Sequence, residues 1–235
     1  MTITSPHNQK LKEIRKLGSR RRWREQLGRF VAEGEDLLKA ADAAGWEAVE
    51  RYCATGSGLP GIEVEPELLA QASRLGSGTR ALAVYEERWA RSALGPVCVY
   101  LHGVRDPGNV GAVLRSAQAF GASSVALGPA TADPFGPKAV RASMGAVFAV
   151  PLARAPDAGA LPGTQIALAS DRGEPLAAIG RVPETTLLIG AERQGLPEEL
   201  VASADLVAHI PIETDSLNAA MAATIALYEV TARAN

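Results

Sequence analysis

The sequence predicts an α/β protein: a mainly parallel sheet in its C-terminal part, preceded by a smaller α/β unit. Three observations predict it. Short, nearly continuous apolar runs at 97–101, 124–127, 165–169, 186–189 and 206–210 recur with helical patterns between them. Such runs suit strands buried on both faces, with helices covering a parallel sheet. The length of 235 residues and the hydrophobic content of 47% allow a real core in one large or two modest domains.

The elements follow in order. Residues 9–27 read as a helix, with Leu11, Ile14, Leu17 and, less regularly, Trp23 and Leu27 on its apolar face. Residues 29–32 form a short strand, and Glu33-Gly34 turns into a helix over 35–44. Strands at 49–54 and 61–64 flank a Gly/Ser/Pro loop, and a helix over 66–73 and a strand over 80–85 follow. These make a first unit over 1–88, and a polar stretch around 86–95 links it to a second over 95–235. There the strand 97–101 leads to a helix over 110–120, the strand 124–127, a helix over 138–143 and a strand over 147–150. A helix over 196–203 separates the last two strands. A closing helix over 217–234 carries Leu217, Ala220, Met221, Thr224, Ile225 and Tyr228 at helical spacing, an amphipathic face.

Charge is unevenly spread. The first 30 residues hold nine Lys and Arg against two Glu, while the whole chain carries −2. A basic segment on an acidic body points to a polyanion such as RNA, the alternative being a solvated helix face. Trp23 and Phe30 are able to stack on bases or to sit in a core. No run of about 18 apolar residues is present, so no transmembrane helix is expected. The first residues have no apolar signal region, so two structural thiols, Cys53 and Cys98, in a reducing cytoplasm are expected. No Cys/His cluster has metal-ligand spacing, and no metal is expected.

Three segments leave strands toward the ligand-binding edge of an open parallel sheet. The first runs from Leu101 to Arg115, with a turn at Pro107-Gly108 and Asn109 as the expected helix cap. The second is Ile189-Gly190-Ala191-Glu192-Arg193-Gln194-Gly195-Leu196-Pro197, where glycine at a strand end allows close approach to backbone. The third is Ile210 to Met221, an apolar strand end, a polar loop and a helix that Asp215 or Ser216 is placed to cap. Phosphate-loop and Rossmann glycine spacings are absent.

In this order the segments resemble the SpoU/TrmH family of RNA 2′-O-ribose methyltransferases, within the knotted SPOUT superfamily. Asn109, Gly111, Arg115 and Gly121 match the first motif; Ile189, Gly190, Glu192, Gly195 and Leu196 the second; Ile210, Pro211, Ser216, Leu217 and Asn218 the third. Lys138 to Ala146 is similar to the family's R-A-S-x-G-A stretch, and residues 5–46 to the substrate-binding domain often fused in front.

The resemblance implies a trefoil knot, with the closing helix threaded through the preceding loop. It implies S-adenosylmethionine as cofactor, held by backbone around Ala169, Gly190, Ile210 and Leu217. Arg115 becomes the catalytic arginine. A guanidinium keeps its proton, so its expected task is to bind the phosphate beside the target ribose and stabilise the nascent alkoxide. Asn109 is expected to hold its loop, and Glu192, Ser216 and Asn218 to orient Arg115 or the ribose. The family's knotted domains pair as homodimers, and the small residues Ala219, Ala222, Ala223 and Ala226 permit close packing there or within the chain. Arg20, Arg21, Arg22 and Arg24 are expected to face RNA. Ribosomal RNA is the expected substrate and tRNA the alternative; a self-protecting resistance enzyme and a non-catalytic RNA-binding or ribosome-assembly factor are the other readings.

Overall fold

Two hydrogen-bonded sheets carry the chain in a computed structural model that describes residues 2–74, 78–180, 182–214 and 216–232. The first sheet holds β1 (Arg29–Glu33), β2 (Glu50–Ala54), β3 (Ile62–Val64) and β4 (Ala81–Glu86), in the order β1-β4-β2-β3. Around it lie α1 (Gln9–Ser19), α2 (Arg21–Leu27), α3 (Glu35–Ala43) and α4 (Pro66–Ala72). Alternation along β1 sends Val31 into one cluster with Leu11, Ile14, Leu17 and Leu69, and Phe30 and Ala32 into another with Leu37 and Leu38. Phe30 is therefore core, fully buried, and not a surface for bases.

The single helix expected over 9–27 is two. Arg20 is extended (φ −139°, ψ 137°) between α1 and α2. The stripe of Leu11, Ile14 and Leu17 faces the sheet, but Trp23 and Leu27 fall off its register. The break at Arg20 lets α2 turn and bury Arg24 instead.

The second sheet holds β5 (Val97–Leu101), β6 (Ser124–Leu127), β7 (Leu152–Arg154), β8 (Thr164–Leu168), β9 (Glu174–Pro175), β10 (Thr185–Ile189) and β11 (Leu206–His209). Their order is β7-β6-β5-β10-β8-β11-β9, with every neighbouring pair parallel. The helices are α5 (Pro107–Ala119), α6 (Pro137–Ala142), α7 (Ala146–Ala149), α8 (Glu198–Ser203) and α9 (Ala219–Ala232). Both cysteines are buried and free, and burial pushes the Cys98 thiol up from its ordinary value.

The strand expected over 147–150 is the helix α7, and the strand follows it as β7. Gly145 (φ 97°) and the Ser143 hydroxyl, which accepts from the Val147 N–H at 3.4 Å, start a helical turn. Pro151 then drives Val150 out of helical conformation (ψ 124°) and ends it. The apolar run alone has no periodicity to separate the two outcomes.

The closing helix also differs. Asn218 caps it, its Oδ1 accepting from the N–H groups of Ala220 (2.9 Å) and Met221 (3.3 Å). Ser216 stands outside that role; Asp215 and residues 233–234 lie outside the described residues. Ala219, Ala223 and Ala226 are buried in the chain's own core, whereas Met221, Ile225 and Tyr228 of the expected apolar face are exposed. A helix apolar nearly all round offers no single face to read from sequence.

The chain passes between the sheets at 87–96, but the two share one core. The Phe30 ring meets Phe135 at 4.7 Å, Tyr85 meets Phe148 at 5.1 Å, and the Trp46 indole N–H donates to the Phe148 carbonyl at 2.8 Å. Among the described residues no helix is long and apolar enough to cross a membrane.

Candidate active site

Ala169, Gly190 and Ile210 each stand one residue past the end of β8, β10 and β11, three strands adjacent in the order β10-β8-β11. Adjacent carboxyl ends bring their loops together, and a pocket of about 560 Å³ opens there. Ala169, Gly190, Glu192, Ile210, Ser216 and Leu217 all line it. The volume lies in the range of small-molecule sites.

Glycine shapes the middle loop. A Cβ on Gly190 would lie 2.2 Å from the Gly195 carbonyl carbon and 2.3 Å from the Leu196 nitrogen. Those are backbone atoms that have no room to yield. The close approach allows Ala191 and Gly195 to exchange backbone hydrogen bonds (3.2 and 2.9 Å), with Gly195 in the left-handed region (φ 64°). The resulting fold-back holds Glu192 at the pocket wall.

A chain of side chains ties the three motifs. The Asn109 amide N–H donates to Glu192, and the Asn218 amide donates to Asn109 Oδ1 at 3.0 Å. Asn109 is free for this because it is not the cap of α5. The helix starts earlier, at Pro107, and the Asp106 carboxylate accepts from the Gly108 N–H at 2.6 Å. The Lys138 ammonium and that N–H hold the Asp106 carboxyl below its ordinary value. Gly111 fixes the next layer: a Cβ there would lie 2.4 Å from the Ala139 carbonyl oxygen, so α6 crosses α5 in contact with its backbone.

Arg115 is not brought into this constellation. It is exposed on α5, more than two turns from the helix start, and does not line the pocket. Among the described residues it makes no hydrogen bond or ion pair. Its neighbour Ser116 meets Thr224 of α9, hydroxyl to hydroxyl, at 2.6 Å.

The basic N-terminal set divides. Arg20, Arg21 and Arg22 are exposed; Arg22 lies over the Trp23 ring at 5.0 Å, and Arg21 pairs with Glu25 at 2.8 Å. Arg24 departs from the expectation. It is 5% exposed, its Nε bonds Asp133 at 2.7 Å and its guanidinium donates to the Leu17 carbonyl at 2.6 Å. A guanidinium buried in this way, with Asp133 as its ion-pair partner, is not presented to a phosphate at the surface. Sequence reading also passed over Asp171, Arg172 and Arg193, which line the pocket. Their signal was positional: Asp171 and Arg172 follow the strand of Ala169 as Glu192 follows that of Gly190.

Parallel strand ends, loops that bring backbone to a pocket, and polar side chains cross-linked beside it are the arrangement of an α/β ligand-binding enzyme. Residues 96–228 match the SpoU rRNA Methylase family, and the chain belongs to it. It is 28% identical to a 23S rRNA guanosine 2′-O-methyltransferase of Bacillus subtilis, over 97% of this chain and 98% of that protein. A 23S rRNA uridine 2′-O-methyltransferase of Streptomyces viridochromogenes is 36% identical over 52% of this chain and 48% of its own length. Among solved structures, an AdoMet-bound rRNA methyltransferase from Sinorhizobium meliloti superposes with a TM-score of 0.85 at 31% identity, covering 98% of this chain and 97% of that one.

Proposed function

We propose that the chain catalyses S-adenosylmethionine-dependent 2′-O-methylation of a ribose in ribosomal RNA. The observation that carries this reading is one pocket shared by three adjacent strand ends, with Asn109 and, through it, Asn218 hydrogen-bonded to Glu192 of its lining. Ala169, Gly190, Ile210 and Leu217 would hold the cofactor, their backbone standing at the wall of one pocket. When bound, the cofactor supplies a methyl group on a cationic sulfur. The protein's own part is to position a ribose hydroxyl and to help it lose its proton. Asn109 holds the wall, Glu192, Ser216 and Asn218 orient the ribose, and Arg115 binds the adjoining phosphate. Positioning of this kind is worth several kcal/mol.

The division into units 1–88 and 95–235 belongs to the same reading, with Arg20, Arg21 and Arg22 offered to RNA and Arg24 buttressing them from within. So do a cytoplasmic location, the threading of α9 through a trefoil knot, and a homodimer. For the dimer the support is the exposed stripe of Met221, Ile225 and Tyr228, with Tyr228 against Phe120 at 6.1 Å between ring centroids. A tRNA-methylation structure resembles only 60% of this chain, whereas the rRNA relatives from Bacillus and Sinorhizobium run along nearly all of it; this favours rRNA.

Incubation of the purified chain with methyl-labelled cofactor and either rRNA or tRNA tests the proposal, followed by mapping of the labelled ribose. Label at one rRNA ribose is expected. Label in tRNA alone overturns the substrate, and failure to bind S-adenosylmethionine in calorimetry overturns the enzyme in favour of an assembly factor.

A further inference from the structure

A second cleft, of about 360 Å³, opens where α1, β1 and α3 meet α6. Val31, Leu37 and Val140 give it an apolar lining, and Arg74, Lys138 and Arg141 stand around it against one carboxylate, Glu33. We propose that this cleft is a groove for an RNA strand flanking the target nucleotide, with Arg74 and Arg141 as its phosphate ligands. The inference rests on the RNA-methylating reading above and deepens it.

The charges sort themselves by what already engages them. Glu33 accepts from the Arg74 backbone N–H at 2.9 and 3.0 Å and from the Ser73 hydroxyl at 2.6 Å, so its carboxylate fastens the backbone that carries Arg74. Lys138 donates to Asp106 at 2.8 Å, at the head of α5. The guanidinium groups of Arg74 and Arg141 are exposed and make no hydrogen bond or ion pair among the described residues. The Arg74 side chain lies against Gly18, where an added Cβ would sit 3.2 Å from it. Both residues line the cleft.

The family-like stretch over 138–146 sharpens the inference, because packing accounts for its small residues and Val140, and an ion pair with Asp106 for Lys138, leaving Arg141 and the exposed Met144. Ala139 and Ala142 meet Gly111 of α5. The Ser143 hydroxyl donates to the Val140 carbonyl at 2.7 Å. A Cβ on Gly145 would come within 2.5 Å of the Ala40 methyl on α3, and Ala146 is fully buried. Arg141 has no such task. It sits on a helix packed against both α5 and β1, between the arginine-bearing first sheet and the reaction helix. A ribose–phosphate chain suits this mixture, with guanidinium forks on phosphates and apolar surface under sugars and unstacked bases.

The test uses the full chain, an rRNA fragment that the native chain methylates, and the double variant Arg74→Ala/Arg141→Ala. Each lost phosphate contact should weaken binding most at low salt and lower the steepness of log affinity against log salt by about one. The double variant should therefore lose about two in slope and at least tenfold in affinity at low salt, with S-adenosylmethionine binding by calorimetry unchanged. Arg141→Lys in an otherwise native chain should retain most of the affinity, as a point charge suffices for a phosphate. Native RNA affinity and salt slope in the double variant would overturn the groove. A native chain that neither binds nor methylates rRNA would instead sink the functional reading beneath it.

Discussion

The Asn218 side-chain amide donates to Asn109 Oδ1 at 3.0 Å, joining residues 109 positions apart. Asn109 completes the link by donating to Glu192. Only a side chain carrying both a donor and an acceptor bridges an amide and a carboxylate in this way. Asn109→Asp keeps the shape but sets one carboxylate against another. Turnover should fall by about 10²-fold from lost positioning, with cofactor affinity kept, and the loss should ease as pH falls and one carboxyl takes up a proton. Single-turnover methyl transfer from pH 5 to 8 reads this out; native rates at pH 8 would remove Asn109 from the machinery.

Arg115 carries a fork that lysine lacks. Arg115→Lys should lower kcat by about 10²-fold if planar, two-pronged binding of the phosphate and nascent oxyanion is required. Calorimetry should report an unchanged cofactor Kd, since Arg115 does not line the pocket. Turnover within about threefold of native would dismiss the requirement for a fork.

Gly190→Ala inserts a methyl where backbone stands 2.2 Å away. The loop 190–196 must shift, at a cost of about 1–3 kcal/mol, and the pocket it walls shifts with it. A lower Tm and at least about tenfold weaker cofactor binding are expected, the latter being about 1.4 kcal/mol. Retention of both would show that the fold-back yields elsewhere.

The Arg24–Asp133 pair is buried where the two sheets meet, its side chains 6% and 12% exposed. Arg24→Met should cost about 3–5 kcal/mol in urea denaturation, because Asp133 is left buried without its partner. Adding Asp133→Asn should restore part of that loss. A cost below about 1 kcal/mol would mean that the shared aromatic core alone joins the sheets.

Burial raises the Glu87 carboxyl above its ordinary value of 4.5, against the smaller lowering effects of the Trp89 indole, Arg154 and Arg24. The folded chain therefore holds this proton to higher pH than the unfolded chain. Its contribution to stability is present below the unfolded value and is lost as pH rises through the folded one. Glu87→Gln keeps an oxygen for the Trp89 N–H, which donates to Glu87 at 2.9 Å, and removes the titration. Its Tm relative to native should rise between pH 4.5 and pH 8; a difference independent of pH would refute the assignment.

Much of the site was legible because backbone-bound pockets are written in local patterns. Ala169, Gly190 and Ile210 follow apolar runs that become strands whatever lies beside them, and parallel strands deliver their loops to one edge. The second and third motifs therefore both reach the pocket, while the first meets it only through the hydrogen bond of Asn109 to Glu192. Less was legible at the helix starts. Asn109 and Ser216 looked like caps, but Asp106 and Asn218 took those places, and this freed Asn109 for Glu192. Any short polar residue near a helix start is an acceptable cap, and only the fit of the loop selects among them.

By itself the sequence determined the α/β class and the succession of most strands and helices, because each rests on hydrophobic pattern or turn chemistry within about a dozen neighbouring residues. Tertiary structure alone decided which cations remain available. Arg20, Arg22 and Arg24 read alike in the chain, yet Arg24 is sealed against Asp133 while the other two are exposed. It also decided that Ala223 and Ala226 face inward while Met221 and Tyr228 face out. Burial depends on which distant segments arrive on each side, and neither a guanidinium nor a helix apolar nearly all round carries that information in its own sequence.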